Sequence, residues 1–223
     1  MQKKIAVIND LSGYGRCSLT VAIPVLSVMG HQCCPVPTAI LSNHTEFPVY
    51  FFDDYTEKMT AYTDKWKELG LSFDAVATGF LGSEAQIEIV MDMIRKLESE
   101  ETFVVVDPVM GDHGHAYETY TPEMCEQMKE LVCMADIVLP NVTECCILTD
   151  TPYKKENWTR RELLNMAMML RLMGAKSVVI TGVREGSYYT NVVLERGQME
   201  AKFIRTRSSG GERPGTRDVF SSV

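Results

Sequence analysis

No apolar run in this chain approaches the roughly 20 residues that a membrane span needs, and the opening MQKKIAVIN lacks the long apolar core of a signal peptide. Basic residues are scarce. Lys and Arg number 22 against 30 Asp and Glu, a net charge of −8, which argues against binding nucleic acid through the overall field. There is no CxxC. The seven cysteines include the adjacent pairs Cys33-Cys34 and Cys145-Cys146, and an odd count cannot fully pair. Reduced thiols in a cytoplasmic protein are expected. The GxxxxGK[ST] phosphate loop is missing, which argues against a P-loop enzyme. No GxGxxG follows a strand, and Gly13 and Gly15 in DLSGYGRCS make only a lone GxG.

What is present is a rhythm. The runs KIAVIN (4–9), DAVATGF (74–80), TFVVVDP (102–108), DIVLPN (136–141) and SVVITG (177–182) are short, β-branched and mostly unalternating. Such runs suit strands of a parallel sheet covered on both faces. CCPVPTAIL (33–41) reads as a further strand weakened by two prolines. Helical stretches between them carry start signals: Ser83 with Gln86 and Thr159 with Glu162 as capping boxes, and Thr121-Pro122 as an N-cap followed by proline. After Gly182 the pattern becomes SYYTNVVLE and QMEAKFIR around Arg196-Gly197, an antiparallel edge hairpin. The expectation is a doubly wound α/β sandwich, a single domain over 1–223, with ligands at the carboxyl ends of the strands.

Several patterns at those ends carry chemistry, and each has a plainer alternative. In DPVMGDHGHAY, Asp107 and Asp112 suit Mg²⁺ or its waters beside phosphates, or Asp112 and Gly111 simply make a turn. His113-x-His115 has no third ligand at a zinc-like spacing. In PNVTE, Asn141 and Glu144 lie three apart and either face a nucleotide and its metal or form a capping box. In GTRD, Gly215 and Thr216 offer backbone N–H groups to a phosphoryl group and Asp218 is placed to accept a proton, or the segment is just a helix start. SNHTEFP (42–48) is a polar-then-aromatic loop, suited to a small-molecule contact or to nothing in particular.

Taken in order, SNHT (42–45), TGFLGS (78–83), DPVMGD (107–112), ADIVLPNVTE (135–144), VVITG (178–182) and PGTRD (214–218) resemble the ribokinase-like superfamily, in particular its vitamin B6 (pyridoxal, pyridoxine, pyridoxamine) kinase branch. DPVM and NxxE are shared with the hydroxymethylpyrimidine kinases, while SNHT and the GD after DPVM favour the B6 branch. The resemblance implies a three-layer sandwich and ATP-dependent phosphorylation of the 5′-hydroxymethyl of a B6 vitamer, with Mg²⁺, in a homodimer. It implies Asp218 as catalytic base and Gly215 and Thr216 as anion hole. Asp10 or Ser12, Thr45 and Phe80 correspond to vitamer contacts. Asp107, Asp112, Tyr117, Asn141, Glu144 and Thr181 correspond to nucleotide contacts, with Asp107 and Glu144 at the metal.

The chain also departs from that pattern. Phe80 stands where many members have Tyr. Leu139 replaces the Thr usual before PN, which argues against a monovalent-cation site. Arg217 replaces the glycine of GTGD, and members continue through further helices beyond this motif. If position 217 requires φ > 0, arginine is strained there, and an impaired kinase-fold protein becomes the alternative.

Overall fold

The computed structural model describes residues 2–45, 47–97, 101–209 and 214–223. In chain order the elements are β1 (Lys4–Tyr14), α1 (Leu19–Val28), β2 (Gln32–Asn43), β3 (Phe52–Asp54), α2 (Thr56–Glu68), β4 (Ala75–Thr78), α3 (Glu84–Leu97), β5 (Phe103–Val106), β6 (Gly111–Asp112), β7 (His115–Ala116), α4 (Pro122–Cys133), β8 (Ile137–Val138), α5 (Val142–Leu148), α6 (Arg160–Met173), β9 (Ser177–Glu185), β10 (Tyr188–Leu194), β11 (Lys202–Arg207) and α7 (Thr216–Ser221). The fold is mixed α/β, mostly parallel, with antiparallel strands at the edges. None of the described helices is long and apolar enough to cross a membrane. The chain forms two compact units, residues 1–104 with 212–223, and residues 105–211.

In the first unit the strand order is β4-β1-β2-β3, parallel except for β3. Five consecutive β1 residues, Ala6 to Asp10, are buried, so both faces of the strand are covered. Val7 packs with Leu19, Ala22 and Leu26 of α1. β2 is longer than CCPVPTAIL, and its prolines fit for a local reason. Gln32 donates its N–H to the Lys3 carbonyl in the β1 direction. By alternation, the N–H positions of Pro35 and Pro37 point away from β1. On that side β3 pairs only with Ala39 to Leu41, so neither proline removes a ladder bond.

The second unit runs β11-β10-β9-β8-β5. β5, β8 and β9 are parallel, and β9, β10 and β11 continue antiparallel, which is the expected edge hairpin extended by the end of β9. The Thr159–Glu162 capping box and the Thr121 cap are both made. In the first unit the Ser83 signal is met in part. Gln86 donates its backbone N–H to Ser83 Oγ at 3.3 Å, but its side-chain oxygen reaches one residue further back, to the Gly82 N–H.

Candidate active site

In the first unit the polar residues gather where β1 outruns its regular pairing. The β1–β4 pairing ends at Ile8–Thr78, with one further bond from the Gly79 N–H to the Ile8 carbonyl, which leaves the Asp10 N–H outside the ladder. The Asn9 side chain accepts it, at 2.9 Å. Asp10 is only 7% exposed. Ser12 Oγ donates to Asp10 Oδ2 at 2.8 Å, and the Ser18 hydroxyl also hydrogen-bonds this carboxylate. Burial pushes the Asp10 carboxyl above its ordinary value; the two serine hydroxyls oppose that shift and the nearby Asp218 charge adds to it. Ser18 caps α1 without a side-chain cap bond and takes φ 51°, ψ −132°, a conformation non-glycine residues rarely adopt. Its hydroxyl serves Asp10 instead. Burial likewise raises the Cys17 thiol, which is bonded by Ser12 and sits in the field of Asp10.

Asp218 and the expected anion hole belong to the same cluster. Gly215 precedes α7 with φ 77°. A Cβ there would overlap the Arg16 carbonyl and lie 3.0 Å from its carbon, so only glycine lets the 214–218 segment close on the loop before α1. Thr216 is exposed, whereas Arg217 and Asp218 are half-buried. The positive φ thus falls on Gly215, which the chain keeps, and not on Arg217, which lies inside α7 and is absent from the positive-φ residues. The conditional strain at Arg217 is therefore corrected: the position never demanded φ > 0.

The remaining two residues of this group sit at neighbouring strand ends. Phe80 follows β4, half-buried, and its carbonyl accepts Thr38 Oγ1 at 3.0 Å. Thr45 is exposed just past β2, next to His44, whose N–H donates to the Tyr14 carbonyl. The His44 ring lies 4.7 Å from Phe47, which in turn lies 5.6 Å from Tyr14.

The second unit holds the other expected residues. Asn141 and Glu144 do form a capping box: Asn141 Oδ1 accepts the Glu144 N–H at 2.9 Å and Glu144 Oε2 accepts the Asn141 N–H at 2.8 Å. Glu144 Oε1 accepts the Met110 N–H at 3.1 Å, and the residue is fully buried. Both carboxylate oxygens therefore engage backbone. Asn141 Nδ2 donates to the Gly111 carbonyl at 2.8 Å, which ties α5 to the β6–β7 hairpin. That two-residue pair turns through His113 and Gly114, at φ 51° and 88°, and Thr143 Oγ1 accepts the Gly114 N–H. It carries Asp112 exposed beside an exposed His113 and His115. Tyr117 is exposed too, with its N–H on the Met110 carbonyl. Asp107, 3% exposed, closes β5, and Thr181 bridges to Asn141 with its N–H on the Pro140 carbonyl at 2.8 Å.

Sequence reasoning missed two polar residues. Asn9, in the first unit, holds two N–H groups with one oxygen. Tyr120, in the second, is 7% exposed with a hydroxyl that has no partner among the described residues, and burial raises it, with Glu144 adding to the shift. Among the described residues no three His, Cys, Asp or Glu side chains converge as a ready metal cage.

Residues 23–223 match the model of the phosphomethylpyrimidine kinase family. A pyridoxal kinase from Dictyostelium discoideum is 29% identical over 190 residues, covering 82% of this chain and 61% of that protein. A Bacteroides thetaiotaomicron protein described as a candidate phosphomethylpyrimidine kinase, crystallised with pyridoxal, is 42% identical with a TM-score of 0.95 over 100% of this chain and 79% of its own. Pyridoxal kinase from Lactobacillus plantarum is 28% identical, with a TM-score of 0.91 over 100% of this chain and 79% of its own. The chain spans less than two thirds of the length of the first curated relatives it matches.

Proposed function

This chain belongs to the phosphomethylpyrimidine kinase family, and from that premise we propose that it transfers the terminal phosphate of ATP to the 5′-hydroxymethyl group of a B6 vitamer, as a cytoplasmic homodimer. The observation that carries this reading is the buried Asp10–Ser12–Ser18 cluster beside Asp218, next to a glycine-closed helix start. It supplies polar groups for a heteroaromatic ring and a carboxylate for the reacting hydroxyl in one place. The relative at 42% identity was crystallised with pyridoxal, which supports the same acceptor class.

In this reading Asp10, Ser12, Thr45 and Phe80 bind the vitamer. Asp218 accepts the hydroxymethyl proton as the oxygen attacks the γ-phosphorus. The new O–P bond forms, the bond to the bridging β,γ-oxygen breaks, and ADP leaves. Gly215 and Thr216 donate backbone N–H bonds to the transferring phosphoryl group. Asp107, Asp112, Tyr117, Asn141 and Thr181 serve the nucleotide.

Mg²⁺ prefers one or two carboxylates plus phosphate oxygens and water. The donors fit that style of site better than an all-protein cage. Asp107 is the carboxylate that would hold the ion. Glu144, with both oxygens on backbone N–H groups, would act through its remaining lone pairs or a water. When bound, the ion screens the phosphate charges.

The family name and the relative described as a candidate phosphomethylpyrimidine kinase point to a pyrimidine as the second acceptor class, of which hydroxymethylpyrimidine is the simplest hydroxymethyl member to test. ADP release measured with pyridoxal, pyridoxamine and hydroxymethylpyrimidine separates the two. Faster turnover with a vitamer is expected, and a preference for the pyrimidine would replace this reading. Asp218→Asn should lower turnover by about 10²–10⁴-fold with vitamer affinity kept. An Asp218→Asn variant as fast as the parent removes Asp218 from the mechanism.

A further inference from the structure

We infer that Asn9 is a positioning residue: one amide oxygen sets the backbone of both Asp10 and Phe80, and Gly79 is glycine to make room for it. This rests on the vitamer-binding reading of Asp10 and Phe80 above.

The observations are geometric. β1 and β4 are parallel neighbours paired from Ile5–Ala75 to Ile8–Thr78. The ladder is extended by one bond, from the Gly79 N–H to the Ile8 carbonyl at 2.8 Å. Beyond that point the next N–H on each strand, Asp10 and Phe80, leaves the ladder. Asn9 Oδ1 accepts both, each at 2.9 Å. Asn9 is 7% exposed, so without its side chain both donors would need new partners in a buried place. Two N–H donors on one atom also fix which end of the amide is oxygen. Gly79 does not have a positive φ. Its requirement is space, because a Cβ there would overlap Asn9 Nδ2 and lie 2.5 Å from Cγ. A side chain at 79 and the amide at 9 therefore compete for one volume.

A residue that acts in this way leaves a distinct signature. Asn9→Ala should weaken pyridoxal binding about tenfold or more, raise the KM for vitamer in step, and leave the KM for ATP unchanged. Asn9→Asp keeps an oxygen under both N–H groups and should recover most of that affinity. Gly79→Ala should lower the melting temperature and vitamer affinity together. In Asn9→Ala/Gly79→Ala the overlap partner is gone, so the second substitution should cost much less than it does alone.

Pyridoxal affinity is read by direct binding titration and stability by thermal unfolding, both on the full chain. Additive melting losses would overturn the steric claim. Unchanged pyridoxal affinity in Asn9→Ala, with a parent that binds, would overturn the positioning claim while leaving the proposed function standing. A parent that neither binds nor phosphorylates pyridoxal refutes the function itself, and the 9/79 coupling in the melts still decides whether the two residues share that space.

Discussion

Two carboxylates, Asp10 on β1 in the first unit and Glu144 in the first turn of α5 in the second, are both buried, yet their partners differ. Asp10 is held by serine hydroxyls with a second carboxylate, Asp218, in its field, and its affinity for a proton is raised. Glu144 is held by two backbone N–H groups, one from its own helix cap and one from the Met110 turn. Hydroxyls can reorient when a ligand arrives, because they both donate and accept. Backbone N–H groups cannot. The difference teaches that burial alone does not say what a carboxylate is for: the groups that hold Asp10 can turn to a ligand, whereas those that hold Glu144 are fixed in the backbone.

The comparison breaks first at Glu144. Glu144→Ala leaves the Met110 and Asn141 N–H groups without that acceptor inside the second unit. An unmet buried donor costs about 1–3 kcal/mol, so a loss of several kcal/mol is expected in denaturant unfolding. Glu144→Gln can satisfy one donor with its oxygen but turns an NH₂ toward the other, and should fall in between. A Glu144→Ala protein as stable as the parent would return Glu144 to a purely ligand-directed role.

The second break is at Gly215. Alanine there must adopt φ 77° and overlap the Arg16 carbonyl. Strain of this type costs about 1–3 kcal/mol, and the chain escapes it by letting α7 lift away from α1. Gly215→Ala should therefore raise hydrogen exchange across 216–221 and lower turnover, with little change in global unfolding. Arg217→Ala makes the paired control. Since Arg217 lies inside α7 and is not among the positive-φ residues, alanine fits there without backbone strain and should change that exchange less than Gly215→Ala does.

These residues also show how far a sequence can be read. The β-branched runs at 4–9, 74–80, 102–108, 136–141 and 177–182 each contain a strand, because two-sided burial demands that composition. The loop-borne motifs fell at strand ends for the same topological reason. β3, β6 and β7 were not legible, since they are two or three residues long and, unlike the equally short β8, belong to no β-branched run. The Asn141–Glu144 spacing fits a cap and a ligand pair equally well, and only the Met110 N–H on the second oxygen distinguishes them. Of the two glycines in GTGD, the one that matters for backbone conformation is the first, which this chain keeps as Gly215, and no motif comparison reveals that. Asn9 had one available signal, a polar residue ending an apolar strand opposite the glycine that ends another, but its register with Gly79 exists only in the sheet.

The smallest expected effect sharpens the comparison most, because its sign is opposite to that at Glu144. The folded chain keeps a proton on Asp10 at pH values where the unfolded chain, titrating near the ordinary 3.8, has already lost it. The folded state then binds more protons, so this residue makes stability fall as pH rises from about 3.8 through its raised folded value. Below that window the penalty is absent, and above it the penalty is complete. Asp10→Asn cannot ionise, yet its amide oxygen still accepts from Ser12 and Ser18. The Asp10→Asn protein should match the parent in stability at low pH and melt slightly higher at neutral pH, with the gap opening across the window and then levelling. Vitamer affinity should fall at the same time, since the ring loses an ionisable partner. Melting curves from acid to neutral pH test this. A constant destabilisation at every pH would mean that Asp10, like Glu144, is there to hold the backbone, and the contrast between the two carboxylates would disappear.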